Sequence, residues 1–338
     1  MKINSLEDLV DPELLNIVAD WIKRNNGLEN IGSIFALTDI INENNIEKNI
    51  LWHYTKLNVL EEMLQPKKVN IRFTNTKYLN DSSEGKLFKP FLTKNKEQIL
   101  ENLLYKDKRL AARELTGSYK MQHLREDFEE DFFNEDSDEF TNGSKIRNFY
   151  ESYVFSMSRL KDSFAFWNKS YAGTDGVAIG FKRNKIEIEK SLKILDVVYI
   201  EPDYKVKIAD DIVIEYVTQL VILFYNKYHG IPNGLRRDCL IEGFSALFKR
   251  RPWQYEQETR MLLSSKPKDK NEKIMCLGNR FVKFNYKLFN KDVIKSIMLG
   301  PACGDEQVEA VSHYLERNGY NNIEVSRSKA FDLRYGDE

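Results

Sequence analysis

The sequence predicts an α+β protein with a mixed β-sheet core, a helical N-terminal extension and charged helical insertions. Three observations carry this. Short stretches rich in aromatic and β-branched residues, several alternating apolar with polar positions, recur from residue 50 to the C-terminal region. Helical spacing of apolar residues fills residues 1–48 and a segment at about 208–250. Between two groups of β-prone stretches lies a Lys-, Glu- and Asp-rich span at about 101–148, which reads as a solvated helical insertion. The expected organisation is an extension over 1–48 followed by a single α+β domain over 49–338.

Taken in order, Ser5 is placed to cap a helix carrying Leu9, Leu14, Leu15, Val18, Trp21 and Ile22, and Asn26-Gly27 ends it. A second helix is expected over Ile31–Asn42. Ile50-Leu51-Trp52-His53-Tyr54 is short and aromatic, as strands are. Lys56–Leu64 suits a short helix stopped before Pro66. Val69–Thr74 alternates like a strand, and Asn80–Gly85 reads as a turn. After the insertion, which Asn142-Gly143-Ser144 closes, Tyr153–Ser158 alternates again, Phe164–Tyr171 suits one helical turn, and Gly176–Phe181 is a buried strand. Its glycines admit another backbone closely. Ile194–Ile200, Arg280–Asn285, Val293–Leu299 and Asn322–Ser326 are further expected strands. Gly300–Gly304 turns into a helix over about Asp305–Arg317, with Gly319 as its C-terminal cap.

Composition narrows the functional classes. The chain has 338 residues, of which 42% are hydrophobic, with 20 Phe and 17 Tyr, so an aromatic-rich core is expected. Lys and Arg number 51 against 52 Asp and Glu, a net charge of −1, so no global basic field draws in nucleic acid. Cys239, Cys276 and Cys303 are too far apart for a metal-ligand pattern or a disulfide framework. No apolar run approaches the roughly 18 residues of a membrane span, and the N-terminus lacks a signal-peptide core. A cytoplasmic protein that uses no metal and no membrane is the expectation. The chain contains no P-loop, no HExxH, no Cys-x-x-Cys and no Gly-x-Ser-x-Gly. The turn at Gly300–Gly304 lacks a complete glycine-rich phosphate signature.

The densest chemistry lies in Lys249–Leu263, where four cations, two aromatics and two carboxylates lead into an apolar run. Pro252 predicts a boundary there. With Gln257–Ser264 as a strand, Glu256, Glu258, Arg260 and Leu262 point one way and Gln257, Thr259, Met261 and Leu263 the other. The helical alternative makes Glu256 and Arg260 an ordinary surface pair, worth about 0.3–0.5 kcal/mol. Lys249-Arg250-Arg251 beside Trp253 and Tyr255 interleaves cations with aromatics, the pattern of a nucleotide- or nucleic-acid-binding surface.

Four pieces of the chain together resemble the bacterial domain-of-unknown-function family numbered 2971, over about residues 50–330. They are Trp52-His53-Tyr54-Thr55; Arg72-Phe73-Thr74-Asn75 with Leu79–Glu84; Phe155-Ser156 with Phe166-Trp167, Tyr171-Ala172 and Gly176–Phe181; and Trp253, Tyr255-Glu256, Glu258 and Arg260. A remoter resemblance is to ADP-ribosyltransferases. His53 on an early strand, Ser156-Met157-Ser158 on a middle one and Glu256-Gln257-Glu258 on a late one follow that superfamily's order. The chain combines two of its patterns, since a first-strand His usually accompanies a Tyr and a single Glu, and Ser-x-Ser with Glu-x-Glu usually accompanies an Arg.

This second resemblance implies a split mixed sheet that clamps NAD as substrate, and an activity that cleaves the nicotinamide–ribose bond. Glu258 would then stabilise the oxocarbenium-like ribose, and Glu256 would orient or deprotonate an acceptor. His53, Tyr54, Thr55, Arg72, Ser156, Ser158, Trp167, Tyr171 and Arg260 would surround NAD. In that arrangement His53 faces a ribose, Arg72 the pyrophosphate, and Tyr171 the nicotinamide. Plainer roles stand beside these: a core histidine, hydroxyls bonded within the sheet, a core Trp167, a surface Arg72, and Glu–Arg pairing. The acceptor implied is a macromolecule or water. The rival classes are a nucleotide- or nucleic-acid-binding module and a non-enzymatic partner in a defence or stress system.

Overall fold

A computed structural model describes residues 50–79, 86–112, 124–133, 151–168, 171–187, 192–200, 214, 217–218, 220–222, 243–244, 246–265, 269–277 and 280–330. The expected helices of residues 1–48, the turn at Asn80–Gly85, the end of the insertion at Asn142–Ser144 and most of the helical segment 208–250 lie outside these residues. The described elements are β1 (Ile50–Thr55), α1 (Leu57–Met63), β2 (Val69–Asn75), α2 (Phe88–Lys94), α3 (Lys96–Ala112), α4 (Leu124–Phe133), β3 (Glu151–Ser158), β4 (Val177–Lys182), α5 (Arg183–Glu187), β5 (Leu192–Asp196), β6 (Val198–Ile200), β7 (Phe248–Arg250), β8 (Glu258–Ser265), β9 (Glu272–Leu277), β10 (Arg280–Phe289), β11 (Ile294–Leu299), α6 (Asp305–Arg317) and β12 (Glu324–Arg327). Short 3₁₀ turns cover Phe164–Trp167 and Arg251–Glu256. The protein is α+β. Among the described residues no helix is long and apolar enough to cross a membrane.

The chain divides into two compact units, one of residues 1–45, 81–150 and 198–251, the other of 46–80, 151–197 and 252–338. The second holds a ten-stranded, mostly antiparallel sheet in the order β12-β11-β4-β1-β3-β2-β10-β9, with β8 on β3 and β5 on β8. β3 is its pivot. Its start pairs with β2 at Thr74↔Val154 and Asn75↔Tyr153, whereas β1 meets it at Trp52↔Ser158. The sheet therefore parts between β1 and β2, which share one edge of β3.

Alternation along the strands sorts their side chains onto two faces. Leu51, Ile71, Phe73, Tyr153, Phe155, Ile179, Phe181 and Met261 form the main core with Leu60 and Met63 of α1 and Val311 and Leu315 of α6. Each such buried side chain contributes about 1.5–3 kcal/mol. Two phenols pin the helical layer, Tyr314 donating to the Leu64 carbonyl at 2.9 Å and Tyr320 to that of Gln65 at 2.9 Å. On the other face Trp52, Ala178 and Met298 pack with Trp167 and Ala172. The close approach expected at the glycines is real, since a Cβ on Gly176 would sit 2.4 Å from the Ala172 carbonyl oxygen.

In the other unit an aromatic cluster joins α2 to the β6–β7 pair. Phe88 stacks on Phe244 at 4.4 Å between ring centroids, and Phe91 meets Phe248 at 5.1 Å. The insertion expected over 101–148 contributes α3, which begins earlier at Lys96, and α4. Ile214, Val217, Thr218, Leu220, Val221 and Ile222 are helical and buried, whereas the end of the segment expected to be helical to 250 is the strand β7.

Three sequence expectations need correction. Ile194–Ile200 is not one strand: β5 joins β8 in the large sheet, and β6 runs parallel to β7 in the other unit. Glu256 does not share a strand face with Glu258 and Arg260, because it ends a 3₁₀ turn and the strand begins only at Glu258. Strands β7 and β9 were not foreseen; β9 is Glu-Lys-Ile-Met-Cys-Leu, with one β-branched residue and little alternation.

Candidate functional site at the head of β8

β8 lies antiparallel on β3, with Ser158 opposite Glu258 and Ser156 opposite Arg260. Directly opposed residues in a ladder point to one face, so these four form a single polar patch, as alternation within each strand predicts. Arg260 Nε donates to Glu258 Oε1 at 2.6 Å and Nη2 to Oε2 at 3.1 Å. The pair is almost wholly buried, with Glu258 7% and Arg260 1% exposed. Both oxygens of Glu258 thus accept from one guanidinium, a bidentate contact that fixes its orientation.

Glu256 is placed differently. Gln257 adopts φ +43° and turns the chain between the two carboxylates. Ser158 Oγ donates to the Glu256 carbonyl at 2.7 Å, and the Arg159 amide donates to that of Gln257 at 3.2 Å. The Glu256 side chain is buried and accepts a hydrogen bond from the Tyr171 hydroxyl, which also lies 3.2 Å from that of Tyr255. Burial, and then the hydrogen bond to Glu256, push the Tyr171 phenol well above its ordinary range. Tyr255 and Trp253 stay open to solvent, at 45% and 37% exposure.

The segment behind this patch is tied by its own polar groups. Tyr54 donates to the Leu160 carbonyl at 2.9 Å and accepts from the Ser163 amide at 3.1 Å. Its ring stacks on Phe166 at 4.4 Å, and burial raises its phenol. Trp167 Nε1 donates to Asp162 Oδ1 at 2.9 Å, while Asp162 also accepts from the Ser328 hydroxyl and from the Lys329 amide. Trp167 is buried, the core role weighed for it above.

His53 stands on the opposite face. Its ring meets Phe155 at 4.2 Å, and Nδ1 donates to the Ser156 carbonyl at 2.9 Å where the sheet parts. That bond makes Nδ1 the protonated nitrogen. Burial, with a smaller contribution from the nearby Arg72 charge, outweighs the hydrogen bond and lowers its pKa from 6.5 to about 4. Arg72 lies over the Phe284 ring at 4.8 Å, and Thr55 closes β1 opposite Val177.

Of the residues singled out in the sequence, the fold therefore groups Glu256, Glu258, Arg260, Ser156, Ser158 and Tyr171 at the head of β8. Tyr54 and Trp167 serve the adjoining segment, and His53 lies across the sheet. Sequence reasoning missed Gln257 and Asp162. Nothing in residue type marks Gln257, whereas an Asp just before an aromatic run is a signal for a turn. Among the basic residues beside Trp253, Lys249 is 8% exposed in β7. Among the described residues no group of three or more His, Cys, Asp or Glu side chains is arranged to hold a metal. Comparison of the chain with protein-family models, with curated proteins and with solved structures finds no match.

Proposed function

We propose that the chain is an NAD-cleaving enzyme of the ADP-ribosyltransferase type, acting as a transferase or as a glycohydrolase on the nicotinamide–ribose bond. The observation that carries this reading is a buried carboxylate linked to solvent through two phenols: Glu256 accepts from the half-buried Tyr171, whose hydroxyl lies beside that of the exposed Tyr255. The nicotinamide ring of NAD is a cation, and aromatic faces attract cations. As the glycosidic bond breaks, its electrons neutralise the departing ring and positive charge appears on the ribose. A fixed carboxylate in a low-dielectric setting stabilises that charge. The oxygen of water or of an acceptor hydroxyl then bonds to the ribose carbon and releases its proton. The parting of the sheet between β1 and β2 supports a split-sheet architecture, while His53, across the sheet from Glu256 and bonded to the Ser156 carbonyl, takes no part in this site.

Both Glu258 oxygens accept from Arg260. This reading therefore gives the electrostatic role to Glu256 and makes Glu258 the anchor of Arg260, whereas the sequence resemblance gave the electrostatic role to Glu258 and the acceptor to Glu256. The test compares two isosteric variants. Glu256→Gln should fold and bind NAD as the wild type does, yet release nicotinamide about 10²–10³ times more slowly. Glu258→Gln should chiefly lower the melting temperature. Equal release rates in wild type and Glu256→Gln, or wild-type protein that takes up no NAD in a calorimeter, would reject the reading.

A further inference from the structure

Gln257 joins the 3₁₀ turn to β8 with φ +43°. Non-glycine residues are uncommon in this region, and Asn and Asp are the types most enriched there. The other non-glycine cases among the described residues, Asp162 and Asn322, are of those types; Gln257 is not. Three hydrogen bonds hold it in place. Its amide donates to the Gln254 carbonyl at 3.1 Å, its carbonyl accepts from Arg159 at 3.2 Å, and the preceding carbonyl accepts from Ser158 Oγ at 2.7 Å. Two of the three come from the end of β3. Strained backbone persists where its surroundings over-determine it, and such positions cluster at functional sites.

The consequence is geometric. With Gln257 extended, β8 would begin earlier, and Glu256 would project to the face of Glu258 and Arg260. Two carboxylates would then compete for one guanidinium. With Gln257 turned, Glu258 keeps Arg260, and Glu256 meets the Tyr171 hydroxyl. We infer that Gln257 is a positioning residue: its left-handed backbone, not its amide side chain, separates the two carboxylates and delivers Glu256 to Tyr171. The catalytic part of this inference rests on the function proposed above, and the geometric part does not.

Three variants test it. Glycine enters this region freely, whereas a β-branched residue is a genuine outlier there. Gln257→Gly should keep the rate of nicotinamide release and the high titration of Tyr171, without loss of melting temperature. Gln257→Val should draw residue 257 into the strand. The Tyr171 phenol should then titrate closer to its ordinary value, followed by magnetic resonance on isotope-labelled tyrosine and assigned with Tyr171→Phe. Its kcat should fall on the order of a hundredfold with KM little changed. Gln257→Ala carries neither branch nor amide and should match the wild type. An unchanged Tyr171 titration in Gln257→Val, or a rate lost in Gln257→Ala, would overturn the inference. If wild-type protein proves not to turn over NAD, the functional reading fails, and the Tyr171 titrations of the valine and glycine variants still decide the positioning role. Should Gln257→Val not fold, the glycine and alanine variants decide it, since loss of the high Tyr171 titration in either overturns it.

Discussion

Arg260 is among the largest side chains that the fold buries completely. It stands opposite Ser156 on β3 and Leu195 on β5 and is only 1% exposed. Glu258 compensates it. Removing one partner of such a pair leaves the other buried and uncompensated, which costs far more than the intact pair contributes. Arg260→Ala should therefore lose about 3 kcal/mol in urea unfolding; an unchanged midpoint would mean that the pair lies open to solvent. His53 makes a prediction of opposite character, because its value lies in being uncharged. Its pKa is lowered from 6.5 to about 4, so the fold favours the neutral ring. Above pH 6.5 that contribution is fully present. As pH falls from 6.5 towards 4 the unfolded chain takes up a proton that the folded chain refuses, and stability drops by up to about 1.4 kcal/mol per pH unit. His53→Gln should remove this part of the acid-side loss, measured as the difference between two stability–pH curves. Parallel curves through that window would show that His53 titrates alike in both states.

At the scale of elements, β9 and β10 form a hairpin in which β10 buries Val282, Phe284 and Phe289 while Ile274 and Phe281 are 64% and 69% exposed. Polar groups tie the hairpin to β3 as well. Tyr153 of β3 lies 2.8 Å from a Glu151 oxygen and 2.7 Å from one of Glu272, and Lys283 of β10 donates to both oxygens of Glu151 at 3.0 and 2.9 Å. Burial pushes the Glu151 carboxyl up, but the hydrogen bond and charge of Lys283, together with Tyr153, outweigh it and leave the pKa lowered. A carboxyl lowered in the folded state stabilises above its ordinary pKa of about 4.3, and the contribution disappears as pH falls through the folded value. Lys283→Met should thus lower stability at neutral pH and flatten the acid limb of the stability curve. Amide exchange in β9 and β10 should quicken as well. An acid limb as steep as that of the wild type would show that Glu151 draws its stabilisation from elsewhere. An exposed apolar edge strand such as β9 also offers a template for pairing with another chain.

For the whole molecule, periodicity and residue type alone determined the α+β class and most of its strands: β1, β2, β3, β4, β8, β10 and β11 fall where alternating, aromatic or β-branched stretches predict them. They determined the helix α6 and its end as well, with Gly319 at φ +72°. They also determined that Ser156 and Ser158 share a face, since that follows from a two-residue repeat however the strand is paired. These features are legible because each depends on neighbours in sequence. Pairing depends on partners far away, and there the sequence is silent. It does not say that β5 leaves for β8 while β6, two residues on, joins β7, or that three stretches of chain assemble each compact unit. The candidate site divides along the same line. Glu258 and Arg260 share a face by local alternation, but their burial as a bidentate pair required β3 on one side and β5 on the other. Glu256 left that face because Ser158 and Arg159, roughly a hundred residues earlier in the chain, hold its carbonyl and that of Gln257. Such a backbone state costs energy locally and is repaid by distant hydrogen bonds, so only the tertiary structure decided it.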